Sequence, residues 1–161
     1  MPRQEFGDVN VEVMPGEWGM AEHEGIISTA DISTCIGISV YSPIGRVAIV
    51  GHFAVPDSIG RRSSLDGFFE FARGMTDAGD LNVWLGGGEI IDRADHPAER
   101  KKTIRIANDE TMAFRHRTLQ RAVPLLEKGG SLKTTWLKSG GSLHYSLELP
   151  SGSEHITVMP G

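Results

Sequence analysis

Cysteine is almost absent from this chain of 161 residues, and the single one, Cys35, excludes an internal disulfide and an all-thiolate zinc site. Long apolar runs are missing as well. None approaches the roughly 20 residues that a membrane-crossing helix needs, so no membrane insertion is expected. Met1-Pro2-Arg3-Gln4-Glu5 opens the chain with no apolar stretch behind a basic start. No secretory signal is in view, and a reducing cytoplasm is the expected compartment. An excess of positive charge is also missing: 16 Lys and Arg stand against 21 Asp and Glu, a net −5. Nucleic-acid binding needs a basic footprint and is not expected.

What is present is a globular mixture, 39% apolar and 23% charged, on a length that fits one core. A domain of this size buries about 68–70% of its unfolded surface and needs no metal staple. The charge is uneven: residues 1–80 carry five basic and twelve acidic side chains, residues 81–161 eleven and nine.

The pattern along the chain predicts mixed structure. Val9, Val11 and Val13 alternate with polar residues over 9–14, as on a half-buried strand. Ile36–Tyr41 and Arg46–Phe53 are two β-rich runs. The turn residues Pro43 and Gly45 separate them, so they predict an antiparallel hairpin. Ser64 is placed to cap a helix carrying Phe68, Phe71 or Ala72, and Met75, ended by Gly79. Leu81–Leu85 predicts a strand stopping at a tight turn, Gly86-Gly87-Gly88. Residues 92–103, charged and containing Pro97, predict an exposed loop, and Ile104 and Ile106 a short strand. From Arg115 to Lys128, Leu119, Val123 and Leu126 share one helix face, with Pro124 inside and Gly129-Gly130 closing it. Three strands follow over Leu132–Leu137, Leu143–Leu149 and His155–Met159. The expected fold is a single layered α/β (α+β) domain over 1–161, with a largely antiparallel or mixed sheet and at least two helices.

The segment richest in chemistry is Ser28-Thr29-Ala30-Asp31-Ile32-Ser33-Thr34-Cys35, expected as a loop that feeds the strand at Ile36. A cysteine at the mouth of a strand is placed as a nucleophile would be, and the backbone N–H groups ahead of it can face an oxyanion. An antiparallel hairpin brings its start and its end together, so it carries Cys35 to His52 although 17 positions separate them. An imidazole there can take the thiol proton and later protonate a leaving group. A partly exposed Cys35 beside His52 is the expectation. The plainer readings stand beside it: a lone cysteine is often a small buried hydrophobe, and a histidine next to Phe53 is at home as a hydrogen-bonded core residue.

On these residues the chain resembles the CheD family of chemoreceptor glutamine deamidases. Members carry a Thr, a loop ending in Gly-Ser-Cys, a strand, a Tyr-Asp-Pro turn, a second strand and a His that opens a short apolar segment. Here stand Thr29, Ile32-Ser33-Thr34-Cys35, Tyr41-Ser42-Pro43 and His52-Phe53-Ala54-Val55-Pro56-Asp57-Ser58. Looser matches follow at Val83–Gly88, at Leu119–Lys128 and at Ser139–Ser142. The chain departs from the pattern at Ser33-Thr34 in place of Gly-Ser, at Ser42 in place of Asp, and at Thr118 where the family has Asn. Residues 89–114 are longer than the family pattern. The resemblance implies a catalytic Cys35, His52 and Thr29, with Ser33 and Thr34 at the oxyanion and substrate. It implies an amidohydrolase acting on a chemoreceptor or other protein substrate, without metal or organic cofactor. It also implies an alternative, a binding module that docks a partner such as the phosphatase CheC.

Other features are weaker. Gly86-Gly87-Gly88 lacks the residues of a phosphate loop. Asp92, Asp95 and His96 lie in a stretch with Arg93 and Arg100, and so predict solvated charge rather than a metal site. Arg115, His116, Arg117 and Arg121 predict a solvated basic helix face, with docking of an acidic partner the alternative. His23, His144 and His155 show no ligand spacing.

Overall fold

The segments with the strongest alternation form the middle of the molecule, and the remaining elements cover them from both sides. The computed structural model describes residues 3–4, 10–54, 62–92, 94 and 96–160. Their order is β1 (Arg3–Gln4), β2 (Asn10–Glu12), β3 (Trp18–Glu22), β4 (Ile26–Ile32), β5 (Ile36–Ser42), β6 (Val47–Phe53), α1 (Arg62–Met75), β7 (Leu81–Ile90), α2 (Ala98–Ala122), β8 (Gly130–Lys138), β9 (Gly141–Glu148) and β10 (Ser153–Pro160). Six strands make one sheet in the order β1-β3-β6-β5-β7-β8, and four make a second in the order β10-β9-β4-β2. Both are mixed. β1–β3, β7–β8 and β2–β4 pair parallel, and the other ladders are antiparallel. The expected α+β class holds, with two sheets. Among the described residues no helix is long and apolar enough to cross a membrane.

Side-chain alternation sorts the layers. Ile36, Ile38 and Val40 of β5 join Phe53, Leu85, Phe68, Phe69 and Phe114 in a core beneath the helices. The opposite face of the large sheet contributes Tyr41, Val50 and Trp84 to a second core with Ile27, Ile32, Tyr145 and Leu147 of the small sheet. The layers are therefore helices, large sheet and small sheet. With both faces covered, every residue of β5 is buried.

Trp84 dominates the layer between the sheets. Its indole stacks on Tyr145 with 4.2 Å between ring centroids and 18° between planes. Gly37 and Gly86 lie under the same ring: a Cβ at Gly37 would come within 3.0 Å of Trp84 Cζ3, and one at Gly86 within 2.2 Å of Cζ2. Two glycines thus make room for one large aromatic in a sheet position where side chains normally stand.

Several expectations are corrected. Ile26–Ile32 is strand β4 rather than a loop, so only Ser33-Thr34-Cys35 bends between two strands. β3 is a strand that the pattern does not predict. Its buried residues are Trp18, Gly19, Met20 and Ala21, a continuous buried stretch with no alternation. β7 runs through Gly86-Gly87-Gly88 to Ile90 instead of turning there. α1 begins at Arg62, ahead of Ser64. Val9 lies outside the described residues.

The largest correction is the first part of α2: the helix expected from Arg115 begins at Ala98 and takes in the stretch expected as loop and short strand. Its buried positions are Ile104, Thr111, Phe114, Thr118 and Ala122. Those spacings are helical, but two of the five are threonines and one is alanine, so hydropathy hides the stripe. Pro97 stands at the N-cap, where its missing N–H costs no helical bond. Pro124 lies in a 3-10 turn over Val123–Leu126 that continues the helix, not inside the helix itself. α2 is the crossover that parallel β7 and β8 require.

Trp84→Ala is expected to cost about 3–5 kcal/mol, the range for emptying a buried aromatic site, and Gly86→Ala about 1–3 kcal/mol from overpacking. Urea unfolding of the two variants checks both. A cost below about 1 kcal/mol for Gly86→Ala, close to the scale of a surface change, contradicts the packing described.

Candidate functional site

Thr29 sits in the middle of β4, fully buried and opposite Tyr145. The ladder to β9 slips between Thr29 and Ile32, and Asp31 adopts a left-handed φ of 57° at the slip. This bulge turns both Thr29 and Ile32 toward the large sheet, although they are an odd number of residues apart. Thr29 Oγ1 donates to the Val13 carbonyl at 2.9 Å and lies 2.9 Å from His52 Nδ1. A hydroxyl has one proton. With that proton on Val13, Nδ1–H must donate to Thr29, and Nε2 keeps its lone pair.

His52 is 1% exposed and occupies the inter-sheet face of β6. Its backbone is held outside the hairpin too: its N–H donates to Glu17 O at 3.0 Å, and its carbonyl accepts from Gly16 N at 2.7 Å. Burial pushes the imidazole below its usual pKa, opposed in part by the Asp31 carboxylate. The ring is therefore neutral at physiological pH, the state a general base needs.

Cys35 ends the bend that enters β5. Gly37 is directly opposite His52, so Cys35, two residues earlier, shares the face of His52 and is its diagonal neighbour across the hairpin. It is half-buried and packs against the inter-sheet core. Ser33 is half-buried and Thr34 exposed in the same bend. Thr29 and His52 therefore come from strands of two different sheets and Cys35 from the bend before β5, and Cys35 is the member that reaches solvent. Val55, Pro56, Asp57 and Ser58, which carry part of the family resemblance, lie outside the described residues.

The bend is fastened to β7. Cys35 O accepts from Gly88 N at 2.8 Å, and Ser33 O accepts from Glu89 N at 2.8 Å. Gly87 and Gly88 have φ of 89° and 56°. A Cβ at Gly87 would lie 2.5 Å from Cys35 O, so only glycine permits this approach. Glu89 Oε2 accepts from Gly140 N at 2.6 Å and so joins the β8–β9 turn to the same place.

Arg115 was expected on a solvated face, and the fold turns it inward. Nε donates to Gly88 O at 2.8 Å, and Nη2 donates to both Gly88 O and Leu137 O. The guanidinium lies 5.0 Å from the Trp136 ring centroid. Burial lowers its pKa. Arg121 is engaged as well, with Asp66 at 2.8 Å and over the Phe69 ring. Arg115 is adjacent to Phe114 on the buried stripe of α2, and that helical spacing was the signal available for it.

Among the described residues no group of three or more His, Cys, Asp or Glu converges as a metal site would. Asp92 Oδ1 accepts from Ala94 N at 2.9 Å, and Asp95 lies outside the described residues. No family model matches the chain, and no curated protein matches it.

The buried imidazole predicts a pH effect. The unfolded chain protonates His52 near pH 6.5 and the folded chain only at lower pH. Between those values the unfolded state binds more protons, so stability rises with pH through the window and is lost on acidification. Urea midpoints measured downward from about pH 6.5 should fall, and His52→Asn should fall less steeply. Parallel curves for the two proteins contradict a depressed His52 pKa.

Proposed function

We propose that the protein is a cysteine-dependent amidohydrolase that converts protein glutamine side chains to glutamate. Chemoreceptors are the substrate class that the CheD resemblance implies. The observation that carries this reading is the Thr29–His52 hydrogen bond. It leaves Nε2 as the basic nitrogen of a neutral ring on the face that Cys35 shares.

In this mechanism the Cys35 thiol gives its proton to His52 Nε2, and the thiolate attacks the side-chain amide carbon of the substrate. The oxyanion forms beside the backbone of the bend at Ser33 and Thr34, whose N–H groups are its proposed donors. The C–N bond breaks as the His52 proton passes to the leaving nitrogen, and ammonia departs. Water, deprotonated by His52, then adds to the thioester. The thiol leaves, and a glutamate carboxylate remains. Thr29 positions the ring, as the third group of a triad does. These steps call on no metal or organic cofactor. A reduced thiol nucleophile suits a reducing cytoplasm, the proposed compartment.

A second reading is a binding module that docks a CheC-like phosphatase. One observation favours it: Ser33-Thr34 replaces the family's Gly-Ser ahead of the nucleophile, and Ser lacks the backbone freedom of Gly.

Mass spectrometry of receptor-derived glutamines, with ammonia release, tests the two. Wild type should deamidate and Cys35→Ser should not. Thr29→Ala should slow the reaction by roughly two- to tenfold, the worth of an orienting hydrogen bond. Equal signal from wild type and Cys35→Ser overturns the amidohydrolase. No ammonia from any glutamine substrate, with tight phosphatase binding retained, selects the binding module.

The thiol itself gives a further check. Iodoacetamide alkylation should report a thiolate well below the pKa of about 8.5 of a free thiol, and His52→Ala should move the pH midpoint upward. Superimposed profiles contradict the dyad.

A further inference from the structure

We propose that Arg115 is a positioning residue for Cys35, acting through Gly88; this rests on reading Cys35 as the nucleophile. The ladder between β7 and β8 slips between Gly87 and Ile90. Regular strand pairing therefore lapses at Gly88 and Glu89, the two residues whose N–H groups hold Cys35 O and Ser33 O. Arg115 spans the lapse. Its guanidinium takes the Gly88 carbonyl on one strand and the Leu137 carbonyl on the other. The Gly88 residue is thus gripped from α2 through its carbonyl and grips the nucleophile through its N–H.

The side chain is suited to this. A guanidinium presents several donors in one rigid plane, so a single residue can satisfy two carbonyls at once. It stays charged even with a lowered pKa, and hydrogen bonds from a charged donor are the stronger kind. A lysine keeps the charge but offers one compact donor group, which cannot reproduce the fork. Gly88, at φ of 56°, leaves room for the approach: a Cβ there would stand 3.0 Å from Arg115 Nε.

The placement separates positioning from two simpler roles. If Arg115 only stabilises the fold, its loss lowers the melting temperature and leaves Cys35 chemistry unchanged. If Arg115 acts only by its charge, Arg115→Lys behaves as wild type. If it positions the bend, both Arg115→Ala and Arg115→Lys let Cys35 drift from His52, and the thiol titrates more like a free one.

The experiment is the pH profile of Cys35 alkylation by iodoacetamide in the full chain, with thermal melting recorded alongside. The expected result is an upward midpoint for both Arg115 variants, with alkylation at neutral pH slowed by about tenfold. A wild-type profile in Arg115→Ala, whatever its melting temperature, overturns the proposal, and so does full recovery in Arg115→Lys. Gly88→Ala retains Arg115 and strains the same link, so it serves if Arg115→Ala does not fold. It should shift the midpoint in the same direction, and an unchanged profile overturns the proposal. His52→Ala separates the two readings. If it moves the midpoint and the Arg115 variants do not, the nucleophile stands and only the role of Arg115 falls. If wild type and His52→Ala both titrate as a free thiol, the nucleophile reading falls and this proposal with it.

Discussion

The hydrogen bond between Thr29 and His52 crosses an apolar layer, and that is why it constrains so much around it. Polar groups buried between two sheets need partners, because water is not there to supply them. Thr29 on the small sheet has the Val13 carbonyl and the imidazole within reach. His52 on the large sheet has Thr29 on one ring nitrogen and is shielded from solvent. The registers of β4, β6 and the segment after β2 must all agree for this arrangement to exist. The bulge at Asp31 and the anchoring of the His52 backbone by Gly16 and Glu17 are the local devices that make them agree.

A second buried polar arrangement lies elsewhere in the same layer. The Tyr145 hydroxyl meets Ser39 Oγ at 2.8 Å and Glu154 Oε2 at 2.6 Å, and Glu154 also meets Lys133 at 3.2 Å. Burial and the Glu154 carboxylate push the phenol pKa upward, so it stays protonated and donates to the carboxylate. The tyrosine ring meanwhile stacks on Trp84. Here a partner satisfies every polar end and the ring is packed, which reads as support for the sandwich. The Thr29–His52 pair differs in that Thr29 meets one of the two ring nitrogens, Nδ1, and in that His52 shares its strand face with the half-buried Cys35.

Glycine sets how closely the parts approach. Gly37 and Gly86 accept the Trp84 ring, and Gly87 accepts the carbonyl of Cys35. All three are on β5 and β7, the strand that the bend enters and the strand that it is fastened to. Larger residues there would separate the indole from the sheet and the bend from β7. The cost is a weakened strand at Gly86-Gly87-Gly88, and the contacts from Arg115 fall on that weak point.

Alternation of branched apolar residues by itself determined the β5–β6 hairpin, its antiparallel sense and the three C-terminal strands, because a period of two is a local property. It also determined that Cys35 and His52 lie at the same end of the hairpin, since a short turn leaves its two ends no other place. Thr29 was legible only through the family resemblance. A threonine in a polar stretch carries no sign of the bulge that turns it inward, and that stretch was expected as loop. Only the tertiary structure decided that two sheets exist, that α2 reaches back to Ala98 and that Arg115 faces the sheet. The physical reason is shared. A stripe of threonines and alanine becomes a buried face only when a sheet lies under it, and an arginine becomes a clamp only where a strand ladder has left carbonyls to hold.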